Sequence, residues 1–244
     1  VPQEKEQVEK AEVKKEESPS LRIDSMEEEK EKAKDEEWAP GWDEIDAAFQ
    51  EIYGEQEPEY FGTVITSRAM FGGNEYLDGY SAYQSEHGYS HVVTYGMSEL
   101  YADEERLGKE FSKWGYEMTI KLKDVDPTNC VWAMNMLGNL ARYTFQSERW
   151  FEPNQYVGSS KNPESINLGD PESRITALLI VNDTEIKTRQ TIYGELAFLQ
   201  LVGITTDEFE AVRKDRACIS TLLEHLRTDY PNLETDMRRT KNYL

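Results

Sequence analysis

From Trp114 to Lys123 the side chains alternate without a break: Trp114, Tyr116, Met118, Ile120 and Leu122 fall on one face, and Glu117, Thr119, Lys121 and Lys123 on the other. A period of two is that of a strand, because successive side chains leave opposite sides of the pleat. The chain must therefore build a sheet, and here a strand with one dry and one wet face is expected. Asp126-Pro127-Thr128 follows as a helix start, an Asp cap ahead of a proline whose missing N–H would be orphaned in any case. Trp132, Met136, Leu140 and Tyr143 are the stripe this helix should bury. The apolar run 175–181 reads as a central strand covered on both faces, and segments 186–192 and 195–202 as a hairpin around Tyr193-Gly194. A second hairpin is expected from 79–85 and 89–96, with a further strand at 60–66 and a turn-rich loop at 68–78. Trp42, Ile45, Phe49, Ile52 and Tyr53 recur at helical spacing. Thr205 and Glu208 match a capping box, opening a helix through Phe209, Val212, Ile219, Leu222, Leu223 and Leu226 with a break near Lys214-Asp215. Strands and helices do not alternate regularly, which points to an α+β fold: a mixed, largely antiparallel sheet with helices packed on it.

Charge decides which partners are plausible. Residues 1–39 hold 14 acidic and 8 basic side chains, with Ser18-Pro19-Ser20 as a break. Such a stretch cannot bury enough apolar surface to offset its ordering entropy, so it reads as a disordered or solvated-helix arm ahead of one domain at 40–244. The net charge is −21, of which −15 remains beyond the arm. That surface repels phosphate backbones and draws basic partners, which argues against direct nucleic-acid binding. No apolar run approaches the ~18 residues of a membrane span, and no signal-peptide pattern is present, so membrane insertion is not expected. Cys130 and Cys218 lie far apart, too few for a disulfide framework and without a CxxC pair for zinc. Both are expected as buried, reduced thiols, consistent with a cytoplasmic setting. The first residue is Val1 rather than Met, as in a processed or trimmed chain.

The search for chemistry finds little. Nucleophilic catalysis needs a hydroxyl or thiol beside a base, yet only His87, His91 and His225 supply imidazole and no Ser occupies a G-x-S-x-G elbow. His87 and His91, with Glu86, have a spacing that could hold a metal, but zinc wants three or four fixed ligands and no further one lies nearby in sequence. Forty-eight acidic residues guarantee close carboxylate pairs by chance, which empties that signal for glycoside hydrolysis. Gly72-Gly73-Asn74 lacks the Lys-Ser/Thr of a phosphate loop and reads as a turn. No cofactor and no metal are expected. The rival reading is a hydrolase using carboxylates or a His-bound metal, and a third is a regulatory or scaffolding domain tethered by its arm.

Several strings carry more. The runs 41–48 (GWDEIDAA), 60–63 (YFGT) and 77–83 (LDGYSAY), and above all His91-Val92-Val93-Thr94-Tyr95-Gly96-Met97-Ser98-Glu99-Leu100-Tyr101, resemble bacterial suppressor of fused domain proteins. WGYEMT at 114–119, LGNLARY at 137–143, Phe151-Glu152-Pro153 and FLQLVGIT at 198–205 continue the likeness in order. One departure is His87-Gly88-Tyr89-Ser90-His91, where many members carry a Pro-His-Trp-His type string. The resemblance implies an α+β fold without catalytic residues or cofactor, acting by binding another protein. In bacterial members the implied role is often that of an immunity protein that blocks a toxin. The expected partner is thus a basic protein, a cognate toxin being the candidate. Interfaces favour aromatic anchors ringed by polar groups, which nominates Tyr80, Tyr83, Tyr89 and Tyr95, in adjacent short strands whose two faces are not both expected to be core, with Glu86 and Glu99 adding charge.

Overall fold

The computed structural model describes residues 38–62, 77–158 and 172–244, and Lys32. Nearly all of the expected arm, Gly72-Gly73-Asn74, positions 63–66 of the expected strand, and positions 68–76 and 159–171 of the two expected loops lie outside the described residues. Helix α1 (Pro40–Tyr53) precedes strands β1 (Glu59–Gly62), β2 (Gly79–Gln84), β3 (Tyr89–Tyr95) and β4 (Phe111–Lys123). Helix α2 (Val131–Ser147) leads to β5 (Tyr156–Val157), β6 (Ile175–Asn182), β7 (Arg189–Thr191) and β8 (Gly194–Thr205), and the chain closes with α3 (Thr206–Lys214) and α4 (Cys218–Asp229). The strands form one sheet in the order β1-β2-β3-β4-β8-β6-β5, with β7 attached to β8. All pairings are antiparallel except β4 with β8, so the α+β reading with a mixed, largely antiparallel sheet holds. Both hairpins form, and the break near Lys214 separates α3 from α4.

Alternation along the strands sorts three cores. Helix α2 lies on one face, over Val92, Met118, Ile120, Leu178, Ile180, Leu199 and Leu201. The other face carries α3 and α4 over Ala177, Leu179, Val202 and Ile204, and α1 over Tyr83, Val93, Tyr95, Leu196 and Phe198. Strand β6 is accordingly buried on both sides, as its unbroken apolar run requires.

Four expectations are corrected. Strand β4 has no wet face: Glu117, Thr119 and Lys121 are all buried, because residues 94–98 enclose Glu117 while the chain around Asp183–Glu185 and the segment after α4 close over Thr119 and Lys121, and of these outward positions only Lys123 is partly exposed. The buried stripe of α2 is Ala133, Met134, Leu137, Ala141 and Thr144. Small residues let the helix approach the sheet, so Trp132, Met136 and Leu140 straddle its flanks and Tyr143 faces out. Asp126 caps a 3-10 turn, Pro127–Asn129, by accepting from the Thr128 N–H, and the α-helix begins only at Val131. Both thiols are free; Cys130 is buried, as expected, whereas Cys218 at the start of α4 is only half-buried. The capping box at Thr205 forms as read, and Glu208 does more than cap: its carboxylate receives both terminal nitrogens of buried Arg239 at 2.7 and 2.9 Å, tying the C-terminal segment to the sheet.

Helix α1 is positioned by a close backbone approach at Gly41, whose N–H donates to Leu100 O at 3.0 Å. A Cβ there would fall 1.9 Å from Glu99 O and 2.6 Å from Leu100 Cα, with no flexible side chain to give way. Gly41→Ala is therefore expected to cost at least the ~1–3 kcal/mol of overpacking in urea unfolding. An unchanged midpoint would contradict the docking of α1 described here.

Candidate protein-binding groove

Where β4 begins, its register with β8 jumps: Phe111 faces Glu195, but the next pair is Tyr116 with Ala197. The extra residues bulge, with Lys113 at φ 54° and Gly115 at φ 81°, the left-handed region that suits glycine. The bulge turns Trp114 onto Phe145 of α2, ring centroids 6.0 Å apart, and sends Lys113 back to donate to Gly96 O at 2.5 Å. Helix α2 stops at Glu148, itself left-handed, so the chain doubles back as Arg149-Trp150-Phe151. That loop is clamped. Phe151 N–H donates to Tyr116 Oη at 3.3 Å, Tyr143 and Phe151 rings lie 5.9 Å apart, and Asn154 N–H donates to Ile180 O.

The result is a groove made of two separate clefts whose walls share Trp150 and Phe151. One part, of about 690 Å³, is lined by Phe111, Trp114, Tyr116, Ala197 and Leu199; the other, of about 500 Å³, by Leu140, Tyr143, Tyr156 and Val157 on the β5 side. Trp150 is 56% exposed, Phe111 48% and Tyr143 45%. Phe111 lines the first cleft, Tyr143 the second and Trp150 both, so three large exposed rings border adjoining clefts, and exposed apolar clusters of this kind mark interaction sites. Aromatic side chains of this kind act as anchors, combining large contact area with few rotatable bonds. Lys113, Glu152 and Glu195 supply the polar rim.

The residues nominated from the sequence sit elsewhere. Tyr83, Tyr89, Tyr95 and Glu99 are buried. Tyr80 is half-buried against the α2 core, and only Glu86, in the β2–β3 turn, is exposed. The premise that one face of these strands would be left free fails because α1 covers one side and α2 the other. Tyr83 still lines an opening beside α1, with Tyr95 behind it stacked on Trp42. Spacing does not mark the groove's own residues: periodicity places Trp114 and Tyr143 in the core, and Trp150 lies in a stretch without any.

The histidines divide. His87 is exposed in a turn, whereas His91 is buried with both ring nitrogens engaged, Nδ1 2.9 Å from Tyr53 Oη and Nε2 2.9 Å from Asp183 Oδ2. Lys121 Nζ reaches Asp183 at 3.1 Å, Glu185 at 2.7 Å and Thr184 Oγ1 at 2.6 Å. Burial alone would raise the Asp183 carboxyl, but His91, Lys121 and the Thr119 hydroxyl outweigh it and hold it well below the usual range. Among the described residues no group of three or more His, Cys, Asp or Glu is arranged to hold a metal ion.

A family model described as suppressor of fused protein matches residues 73–240. The human suppressor of fused homolog is 33% identical over 216 residues, covering 77% of this chain and 42% of the human protein. The chain belongs to the suppressor of fused family. The mouse homolog gives 32% identity with the same coverage, so this chain spans less than half the length of the curated relatives it matches. Drosophila Suppressor of Fused superposes with a TM-score of 0.70 at 24% identity, over 85% of this chain and 52% of that one. A chain of the Sufu-Fu complex crystal structure superposes at 0.71 and 24%, over 84% and 93%. A putative homolog from Neisseria gonorrhoeae gives 0.52 at 15%, over 81% and 93%.

The string that carried the resemblance proves to be a structural device. Glu117 of β4 is buried, and its carboxylate accepts from the N–H groups of Gly96, Met97 and Ser98 and from the hydroxyls of Thr94 and Ser98, at 2.6–3.3 Å. Burial raises the Glu117 carboxyl, and these bonds offset only part of the rise. His91 meets Asp183, and Tyr95 donates to Asp46 at 2.7 Å. Each polar position of the suppressor of fused string from His91 to Ser98 thus has a partner inside the fold, and the exposed aromatic groove lies outside it.

Proposed function

We propose that this chain is a protein-binding module without chemistry of its own, holding an extended, apolar-containing segment of a basic partner in the groove around Trp150. The observation that carries this reading is the presentation of Phe111, Tyr143 and Trp150 to solvent in two clefts that meet at Trp150 and Phe151. The −15 charge of residues 40–244 favours a basic partner through faster encounter. The commitment of both His91 nitrogens to Tyr53 and Asp183 leaves that imidazole without a free base position, which supports binding over hydrolysis. A relative seen in a solved complex with Fu supports partner binding as the mode of action. In its finer form the module masks its partner, as an immunity-type protein blocks a basic toxin, and works in a reducing, cytoplasmic setting in keeping with two free thiols.

Selection of displayed peptides on the full chain tests the reading. Retained sequences should pair an aromatic or branched apolar residue with Lys or Arg, and binding should weaken as salt rises. Trp150→Ala should weaken them about thirtyfold, a hot-spot loss of ~2 kcal/mol, with the unfolding midpoint unchanged because the ring is exposed. Unaltered affinity in Trp150→Ala would overturn the assignment of the groove.

A further inference from the structure

A second opening lies on the other face of the sheet, at its β1–β2 end, and it is built for a cation. Helix α1 presents Trp42, Asp46 and Gln50 at i, i+4 and i+8, one side of the helix. Tyr60 of β1 faces them, its ring resting on Gly79, where a Cβ would fall 2.6 Å from Tyr60 Oη. Trp42 stacks on Tyr95 at 4.1 Å and stands 5.8 Å from the Tyr60 ring at 59°, forming a corner of aromatic faces. Tyr60 is 53% exposed. The cavity of about 450 Å³ continues past Glu55, Gln56, Glu57 and Pro58, over a floor of Ser81 and Tyr83. Gln56 holds this wall in place by pairing with both backbone groups of Gln84, at 2.7 and 3.0 Å.

Three carboxylates, Asp46, Glu55 and Glu57, line this cavity, and among the described residues no Lys, Arg or His does. Among the described residues no cation lies within ion-pair distance of these three, whereas Glu44 and Glu51, on another side of α1, are paired with Arg189 at 3.2 and 2.7 Å. Asp46 Oδ1 accepts from Tyr95 Oη, which fixes the carboxylate and leaves Oδ2 for a ligand. Partial burial already pushes the Asp46 carboxyl up, opposed by the Tyr95 bond, a strain that a bound cation would relieve. We propose that the corner formed by Trp42, Tyr60 and Asp46 is a recognition site for one cationic side chain of a partner, an arginine by preference. A guanidinium can lie on an aromatic face within ~6 Å of its centroid while forking onto a carboxylate. The site goes beyond the groove reading and does not depend on it, since it shares no residue with the groove.

The test uses N-acetyl-arginine amide, its lysine counterpart and the neutral isostere N-acetyl-citrulline amide, titrated into the full chain. The indole N–H of Trp42 is followed by NMR, assigned by its loss in Trp42→Phe. Arginine amide should shift that signal saturably, lysine amide more weakly and citrulline not at all. Asp46→Asn and Tyr60→Leu should each weaken the response about tenfold, and Trp150→Ala should leave it unchanged, which separates this site from the groove. An equal response to citrulline, full retention in Asp46→Asn, or no response to either cation would overturn the proposal.

Discussion

Asp183→Ala is expected to lower the unfolding free energy by about 3–5 kcal/mol, because it takes from the buried Lys121 ammonium its fully buried counter-ion, leaving Glu185 as its one carboxylate. Lys121 and Asp183 side chains are both fully buried and 3.1 Å apart. Asp183 also accepts from the N–H groups of Glu185 and Ile186 at 2.9 and 3.2 Å and from Thr119 Oγ1 at 2.6 Å, so its loss opens the turn that closes over β4. Lys121→Met combined with Asp183→Ala should cost less than the sum of the two singles, since contacting residues couple. The acid limb carries a second signature. A carboxyl held below its unfolded value of ~3.9 contributes stability that is complete above that pH and is lost as pH falls toward the folded value. Glu185, also held low by Lys121 against its burial, acts in the same direction. Asp183→Ala should therefore flatten the loss of stability on acidification below about pH 4. Urea melts across that range measure both effects, and a cost under ~1 kcal/mol would show that the buried pair is not what holds the middle of this face together.

Glu117→Gln should be nearly as damaging despite its small change in size. Every group around this carboxylate is a donor, and three are backbone N–H groups that cannot turn away. A glutamine must point its own NH2 at the side of Met97 or at the side of Gly96 and Ser98, setting donor against donor. Each buried donor left without an acceptor costs about 1–3 kcal/mol, so a loss of about 3 kcal/mol is expected, and more in Glu117→Ala, which orphans all three. Thermal unfolding of the two variants checks the order. A Gln variant as stable as the parent would mean that the loop at 96–98 is held by its other contacts.

Both variants bear on why the family string was legible and the groove was not. Thr94, Gly96 and Ser98 are constrained because they solvate a buried carboxylate, and His91 because it meets Asp183. Such constraints leave fixed residue types at fixed spacing, which is what a linear pattern can show. Trp150, Tyr143 and Phe111 need only face outward from a clamped loop, a helix end and a bulge. Nothing in their spacing announces that, and the helical period at 132–143 drew Tyr143 into an expected core stripe. Three of the tyrosines nominated for binding, Tyr83, Tyr89 and Tyr95, are buried because their strands are covered twice, a fact of packing that alternation in one strand does not contain.

Taken alone, the order of residues determined the elements and their class: the period of two at 114–123, the apolar run at 175–181, the capping box at 205–208 and the break near Lys214 are local signals, written in neighbours along the chain. Only the tertiary structure decided that the polar face of β4 is interior, that β4 runs parallel to β8, and that the aromatic groove and the Trp42–Tyr60 corner exist. Those features join residues tens of positions apart, and whether a Lys, Glu or Tyr meets water or a partner depends on which distant segment arrives to cover it.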